Sequence, residues 1–122
     1  MSRLLLKTGL LVVALVSIPA AHADVPPAQR DEVDHLIEFV GSSGCIITRN
    51  GADHPSVDAI DHIMKKYDYF RDDIESTEDF IHYSATKSTL SGEYYTVTCP
   101  GKETMRTQQW LLDELAQYRQ QK

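Results

Sequence analysis

Basic residues, cysteine and any repeated motif are scarce in this chain of 122 residues, and each shortage excludes something. Twelve Lys and Arg stand against 18 Asp and Glu, a formal net charge of −6. With so few cations and no basic stripe, nucleic acid and anionic membrane surfaces are poor partners, while a cationic partner is permitted. There are two cysteines, Cys45 and Cys99. Their separation fits no C-x-x-C redox pair, and two thiols do not make a four-ligand zinc set. Lys87, Ser88 and Ser91 lie close in sequence. No glycine-framed elbow presents a serine there, so a Ser–Lys nucleophile is not indicated. Internal repeats, low-complexity blocks and dividing linkers are absent too.

What is present begins with a short basic region carrying Arg3 and Lys7. An uncharged apolar run from Gly9 to Ile18 follows, then Pro19 and Ala21-His22-Ala23. This is the layout of a cleaved secretory signal peptide, residues 1–23. The apolar run is too short for a membrane anchor, since a span takes about 20 apolar residues. Residues 24–122 then form a single domain, and losing Arg3 and Lys7 takes the formal charge from −6 to −8. No membrane anchor is expected after cleavage, and the periplasm is the expected location.

Routing to an oxidising compartment makes a Cys45–Cys99 disulfide the natural reading of the two thiols. Closing a loop of about 55 residues would stabilise the fold by roughly 4 kcal/mol. Both cysteines sit on strand-like segments. Cys45 to Thr48 is apolar and β-branched, bounded by Gly44 and by the turn pair Asn50-Gly51. Tyr94 to Cys99 is aromatic and β-branched, stopped by Pro100-Gly101. After Asn50-Gly51 the pattern predicts a helix rather than a second strand.

Four helices are predicted. Val33, Leu36, Ile37 and Val40 make one apolar stripe between Pro26 and Val40, with Asp31, Glu32 and Asp34 towards the positive end of its dipole. Val57, Ile60, Met64 and Tyr67 mark the second, with Pro55 in its first turn. Ser76 caps a short third helix with Phe80, Ile81 and Ser84 on one face. The fourth runs from about Thr107 to Gln120 and carries Trp110, Leu111, Leu115 and Tyr118. Thr86 to Gly92 reads as a loop. The fold class expected is therefore α+β, about four helices around a two-stranded element stapled by one disulfide.

The ordered series Ser43-Gly44-Cys45, Arg49-Asn50-Gly51, His54, His62, Lys66-Tyr67, Ser91-Gly92, Tyr94, Cys99-Pro100 and Trp110-Leu111 resembles the YfeK-like family of small bacterial proteins made with a signal peptide. The resemblance covers essentially all of residues 24–122. It implies a bacterial envelope protein, a domain of unknown function, and no particular reaction.

Candidate chemistry is thin. His54, Asp58 and His62 fall at i, i+4 and i+8, a spacing that on one helix could hold a divalent ion, but Pro55 pushes His54 out of helical geometry. Arg49, Asn50 and His54 form a polar turn that could hold an anion, though Asn50-Gly51 also serves simply to turn the chain, with Arg49 bonding local carbonyls or carboxylates. Ser91-Gly92-Glu93-Tyr94-Tyr95 resembles the S-G-x-x-Y loop of periplasmic lysozyme inhibitors of the membrane-bound C-type class, which are β-barrels. The reading reached is a non-catalytic binding or interaction module, without cofactor, metal or catalytic residue. Its surface includes the Arg49–His54 turn and the Ser88–Tyr95 segment, with Arg49, Asn50, His54, His62, Ser91 and Tyr94 as candidate binding residues, and its partner is an envelope protein or a small ligand. The alternatives are a small metal-dependent hydrolase using His54, Asp58 and His62, or a lysozyme-inhibitor-like protein.

Overall fold

A computed structural model describes residues 24–122. The expected signal peptide lies outside the described residues. Helix α1 spans Pro27–Ser42, strands β1 and β2 span Ile46–Arg49 and Ala52–Pro55, and helix α2 spans Ser56–Tyr69. A 3-10 turn at Arg71–Asp73 leads to α3, Thr77–Ser84. Strands β3, Thr96–Thr98, and β4, Met105–Arg106, precede α4, Thr107–Gln120. The α+β class holds, but the sheet has four strands rather than two, ordered β2-β1-β3-β4 and antiparallel throughout. Among the described residues no helix is long and apolar enough to cross a membrane.

The expected helix after Asn50-Gly51 is displaced by a hairpin. Asn50 and Gly51 both take positive φ, 50° and 78°, the geometry of a two-residue turn whose twist matches antiparallel strands. Ala52 to Pro55 therefore folds back on β1, with Ile47 opposite His54. This strand is an edge, so Pro55 is tolerated at its end and caps α2 from outside instead of lying in the first turn. The central pair is β1 and β3, in which Ile46 opposes Thr98 and Ile47 opposes Val97. One step further along the same register brings Cys45 opposite Cys99. Their Cα atoms are 4.2 Å apart and the disulfide is formed.

Ile47 and Val97 point to one face of the sheet and are buried there. Val33, Leu36 and Val40 of α1, Phe80 and Ile81 of α3, and Leu111 and Leu115 of α4 complete the core, together with Ile74. Each large apolar side chain so buried contributes roughly 1.5–3 kcal/mol. On α2 the stripe is rotated from the expected one: Ser56, Ala59, Ile63 and Tyr67 are buried, while Val57 is 61 % exposed. Ser76 caps α3 as expected, its Oγ accepting from the Asp79 N–H at 3.0 Å. The acidic residues of α1 lie beyond its first turn, so the helix dipole does not account for them. Glu32 instead turns inward and takes two hydrogen bonds from Arg119 at 2.8 and 2.9 Å, one from Thr77 Oγ1 at 2.7 Å and one from Lys122 at 3.2 Å.

Candidate functional site

The Asn50-Gly51 turn does more than reverse the chain. Its left-handed backbone aims the Asn50 amide across at the 87–95 loop, where Nδ2 donates to Ser88 Oγ at 3.3 Å and Oδ1 accepts from Ser91 Oγ at 2.6 Å. Ser88 Oγ also accepts from the Ser91 N–H, and Ser91 Oγ from the Glu93 N–H. Ser88 is buried, and its backbone N–H bonds the Glu93 carbonyl. The loop is thus a closed turn held to the hairpin by one asparagine. The isolated Lys87–Tyr94 bridge closes the base of the loop.

Behind this clasp lies a cleft of about 280 Å³ walled by Arg49, Asn50, His62, Lys66, Ser88 and Tyr95, among others. Tyr95 is buried, with its hydroxyl 3.0 Å from His62 Nε2 and 3.3 Å from Lys66 Nζ. An ammonium can only donate, so the phenol oxygen accepts from Lys66, and its own hydrogen is available to a His62 in the Nδ1–H tautomer. Burial, followed by the positive fields of Arg49, Lys66, His54 and Lys65, holds the His62 pKa down at about 4. Burial and then Arg49 also push the Lys66 ammonium below its ordinary value, and burial pushes the Tyr95 phenol up. Lys66 spends a second hydrogen on the Lys87 carbonyl at 2.6 Å.

Of the six surface residues read from the sequence, Arg49, Asn50 and His62 line this cleft and Ser91 fastens its rim. His54 sits on β2 and reaches the cleft only through its charge on His62. Tyr94 does not line it; the Arg106 guanidinium lies 3.8 Å from its ring centroid. Among the described residues Arg49 forms none of the expected bonds to local carbonyls or carboxylates, and its Nε is buried with no hydrogen-bond partner. Lys66 was missed as a site residue, and Tyr95 was included only within the Ser88–Tyr95 segment. Lys66 stands one helical turn beyond His62, and Tyr95 alternates with Tyr94 along an extended segment; both signals are present in the sequence. The His54, Asp58 and His62 set is split between β2 and α2, and the Nε2 of His62 is already occupied by Tyr95. Among the described residues no three His, Cys, Asp or Glu side chains are grouped to hold a metal ion.

Neither a curated protein nor a solved structure matches the chain. One family model does, over residues 27–119, and it describes a family of unknown function, DUF5329; the expected domain of unknown function is found, and the match says nothing about the YfeK-like resemblance. The match runs from the start of α1 almost to the end of α4 and takes in the disulfide, the hairpin turn and the whole cleft, so the chain belongs to the DUF5329 family.

Proposed function

We propose that the protein is an exported, non-catalytic binding module whose recognition site is the cleft between the Arg49-Asn50 turn, the 87–95 loop and α2. The observation that carries this reading is the Asn50–Ser88–Ser91 clasp, which brings two distant polar turns together around Arg49, His62 and Lys66. The side chains there are spent on holding shape. His62 faces a phenol rather than a nucleophile, and the Ser88 hydroxyl is engaged with Asn50 and the Ser91 N–H. Export to the periplasm rests on the first 23 residues and agrees with the disulfide, which persists in oxidising compartments. The bacterial envelope setting suggested by the YfeK-like resemblance belongs to the same proposal. A metal-dependent hydrolase finds no assembled ligand set to support it. A lysozyme-inhibitor role is disfavoured by charge, since the Ser91–Tyr95 loop borders a cationic cleft and lysozymes of that kind are basic.

A photo-crosslinking residue at Thr89, on the cleft wall, tests the reading in cells. A discrete adduct is expected that disappears with Arg49→Ala and is absent when the probe is moved to Gln117 on α4. Identical labelling from the two positions would remove the cleft as a recognition site.

A further inference from the structure

The chain is acidic, yet its cations are not evenly spread. Arg30 and Arg71 pair with Asp24, while Arg119 and Lys122 pair with Glu32. Arg49, Lys65, Lys66 and Lys87 behave differently: all four line a run of three adjoining hollows that share Lys66 and Thr89, of about 280, 340 and 290 Å³. No Asp or Glu lines any of the three, and among the described residues no carboxylate pairs with Arg49 or Lys66. Concentrating like charge at a partly buried place costs stability, and burial first, then the neighbouring cations, depress the titration of His62 and Lys66. Hydrogen-bonding capacity is left over as well. Arg49 Nε, though buried, has no partner among the described residues, and Lys66 keeps one of its three hydrogens after serving Lys87 and Tyr95.

The rim is apolar. Leu90, 99 % exposed, overhangs the hollow that contains Arg49, and Tyr69, 80 % exposed, flanks the neighbouring one beside Phe70. These are the two most exposed large apolar side chains among the described residues, and both stand at the same cationic cleft. Single exposed apolar residues are ordinary, but two bracketing one charged hollow form an amphiphilic surface. We infer that the cleft takes an amphiphilic oxyanion, a carboxylate or phosphate head held by Arg49 and Lys66 with its apolar chain laid along Leu90, Tyr69 and Phe70. This rests on the cleft being the recognition site and adds the chemical class of the ligand.

The test is calorimetric titration of the disulfide-bonded protein with octanoate and octyl phosphate, set against acetate, inorganic phosphate and octyltrimethylammonium. At least one octyl anion is expected to bind tenfold or more tightly than its head alone, and the octyl cation not at all. The preference between octanoate and octyl phosphate identifies the head. Arg49→Gln and Lys66→Gln should each weaken that binding about tenfold. Leu90→Ser, at an exposed tip where folding is not at stake, should weaken the octyl anion towards the affinity of its head alone. A bound anion should also raise the His62 pKa, read by NMR, because it offsets the field of Arg49 and Lys66. Equal binding of the octyl cation, equal binding of heads and octyl anions, or an unmoved His62 titration would overturn the inference. If these arms fail while Arg49-dependent crosslinking from Thr89 persists, the recognition site stands and only the ligand class falls; loss of both removes both.

Discussion

The Tyr95 hydroxyl lies in hydrogen-bond contact with His62 Nε2 at 3.0 Å, joining a residue of the loop leading into β3 to the middle of α2. The contact matters because the Lys66 ammonium donates to the same oxygen. With the His62 pKa at about 4 against 6.5 for the free side chain, the folded protein binds this proton later than the unfolded chain does. The stability associated with neutral His62 is therefore complete above about pH 6.5 and is lost as pH falls towards 4.

Tyr95→Phe removes a hydroxyl that, against the Nδ1–H tautomer, donates to the neutral imidazole, so the His62 pKa should rise, followed by NMR through the ring C–H resonances. It also leaves Lys66 one acceptor short at a partly buried position. A loss of about 1–2 kcal/mol in urea unfolding is expected. An unchanged His62 pKa in the variant would mean that the proton does not sit between the two residues.

Asn50 has two separable roles, the left-handed turn and the clasp to Ser88 and Ser91. Asn50→Gly keeps the first and deletes the second, since glycine accepts positive φ without penalty. The hairpin should survive, with unfolding free energy lowered by no more than about 1 kcal/mol. Amide exchange at Ser91, Gly92 and Glu93 should nevertheless accelerate at least tenfold, because their N–H groups are ordered by the clasped loop. Asn50→Ala should lose both roles and destabilise more.

How far this could be read beforehand depended on what kind of signal each part leaves. The helices and the disulfide were legible because apolar stripes, the Ser76 cap and a lone thiol pair act locally or by count. The α2 stripe was placed one residue out of phase because its buried face includes Ser56 and Ala59, small residues that carry no hydrophobic weight, while Val57 is exposed. Strand β2 was missed for a different reason: Ala52-Asp53-His54-Pro55 has no strand propensity and is extended only because the turn before it dictates pairing. The two-residue strand β4 leaves no periodicity at all. At the site, the Arg49-Asn50 turn stood out as a polar cluster. Which of Tyr94 and Tyr95 faces inward was not visible, because alternation fixes the period of a strand but not its phase.

The disulfide joins positions separated by 54 residues and links the ends of β1 and β3, whose register already places the two cysteines opposite each other. The bond therefore locks an arrangement that the ladder supports. Its removal by Cys45→Ser with Cys99→Ser should cost about 4 kcal/mol, largely through the unfolded chain. Calorimetric melting of oxidised and double-variant protein measures this. A difference below about 1 kcal/mol would show that the reduced, unfolded chain keeps the two segments together.

Glu32 provides the second pH-dependent contribution, and its sign is the same as that of His62 for a different reason. It is 4 % exposed, and the hydrogen bonds from Arg119, opposed by burial and reinforced by Thr77 and Lys122, bring its pKa down to about 2 from 4.5. A carboxylate whose folded pKa is depressed stabilises the fold fully above its unfolded value and loses that contribution as pH falls through the folded one. The window is therefore about pH 4.5 to 2, below that of His62. Glu32→Gln should flatten stability across this window while leaving the interval from 6.5 to 4 intact, which separates the two groups in one pH series of urea midpoints. At neutral pH the variant should lose about 1.5–3 kcal/mol, the range for a hydrogen bond to a charged partner, moderated because Arg119 keeps Glu78. Since Glu32 ties α1 to the end of α4 and lines none of the three hollows, ligand binding at the cleft should be unchanged in Glu32→Gln at pH 7. A variant that lost cleft binding along with stability would show that the C-terminal helix and the recognition site are coupled.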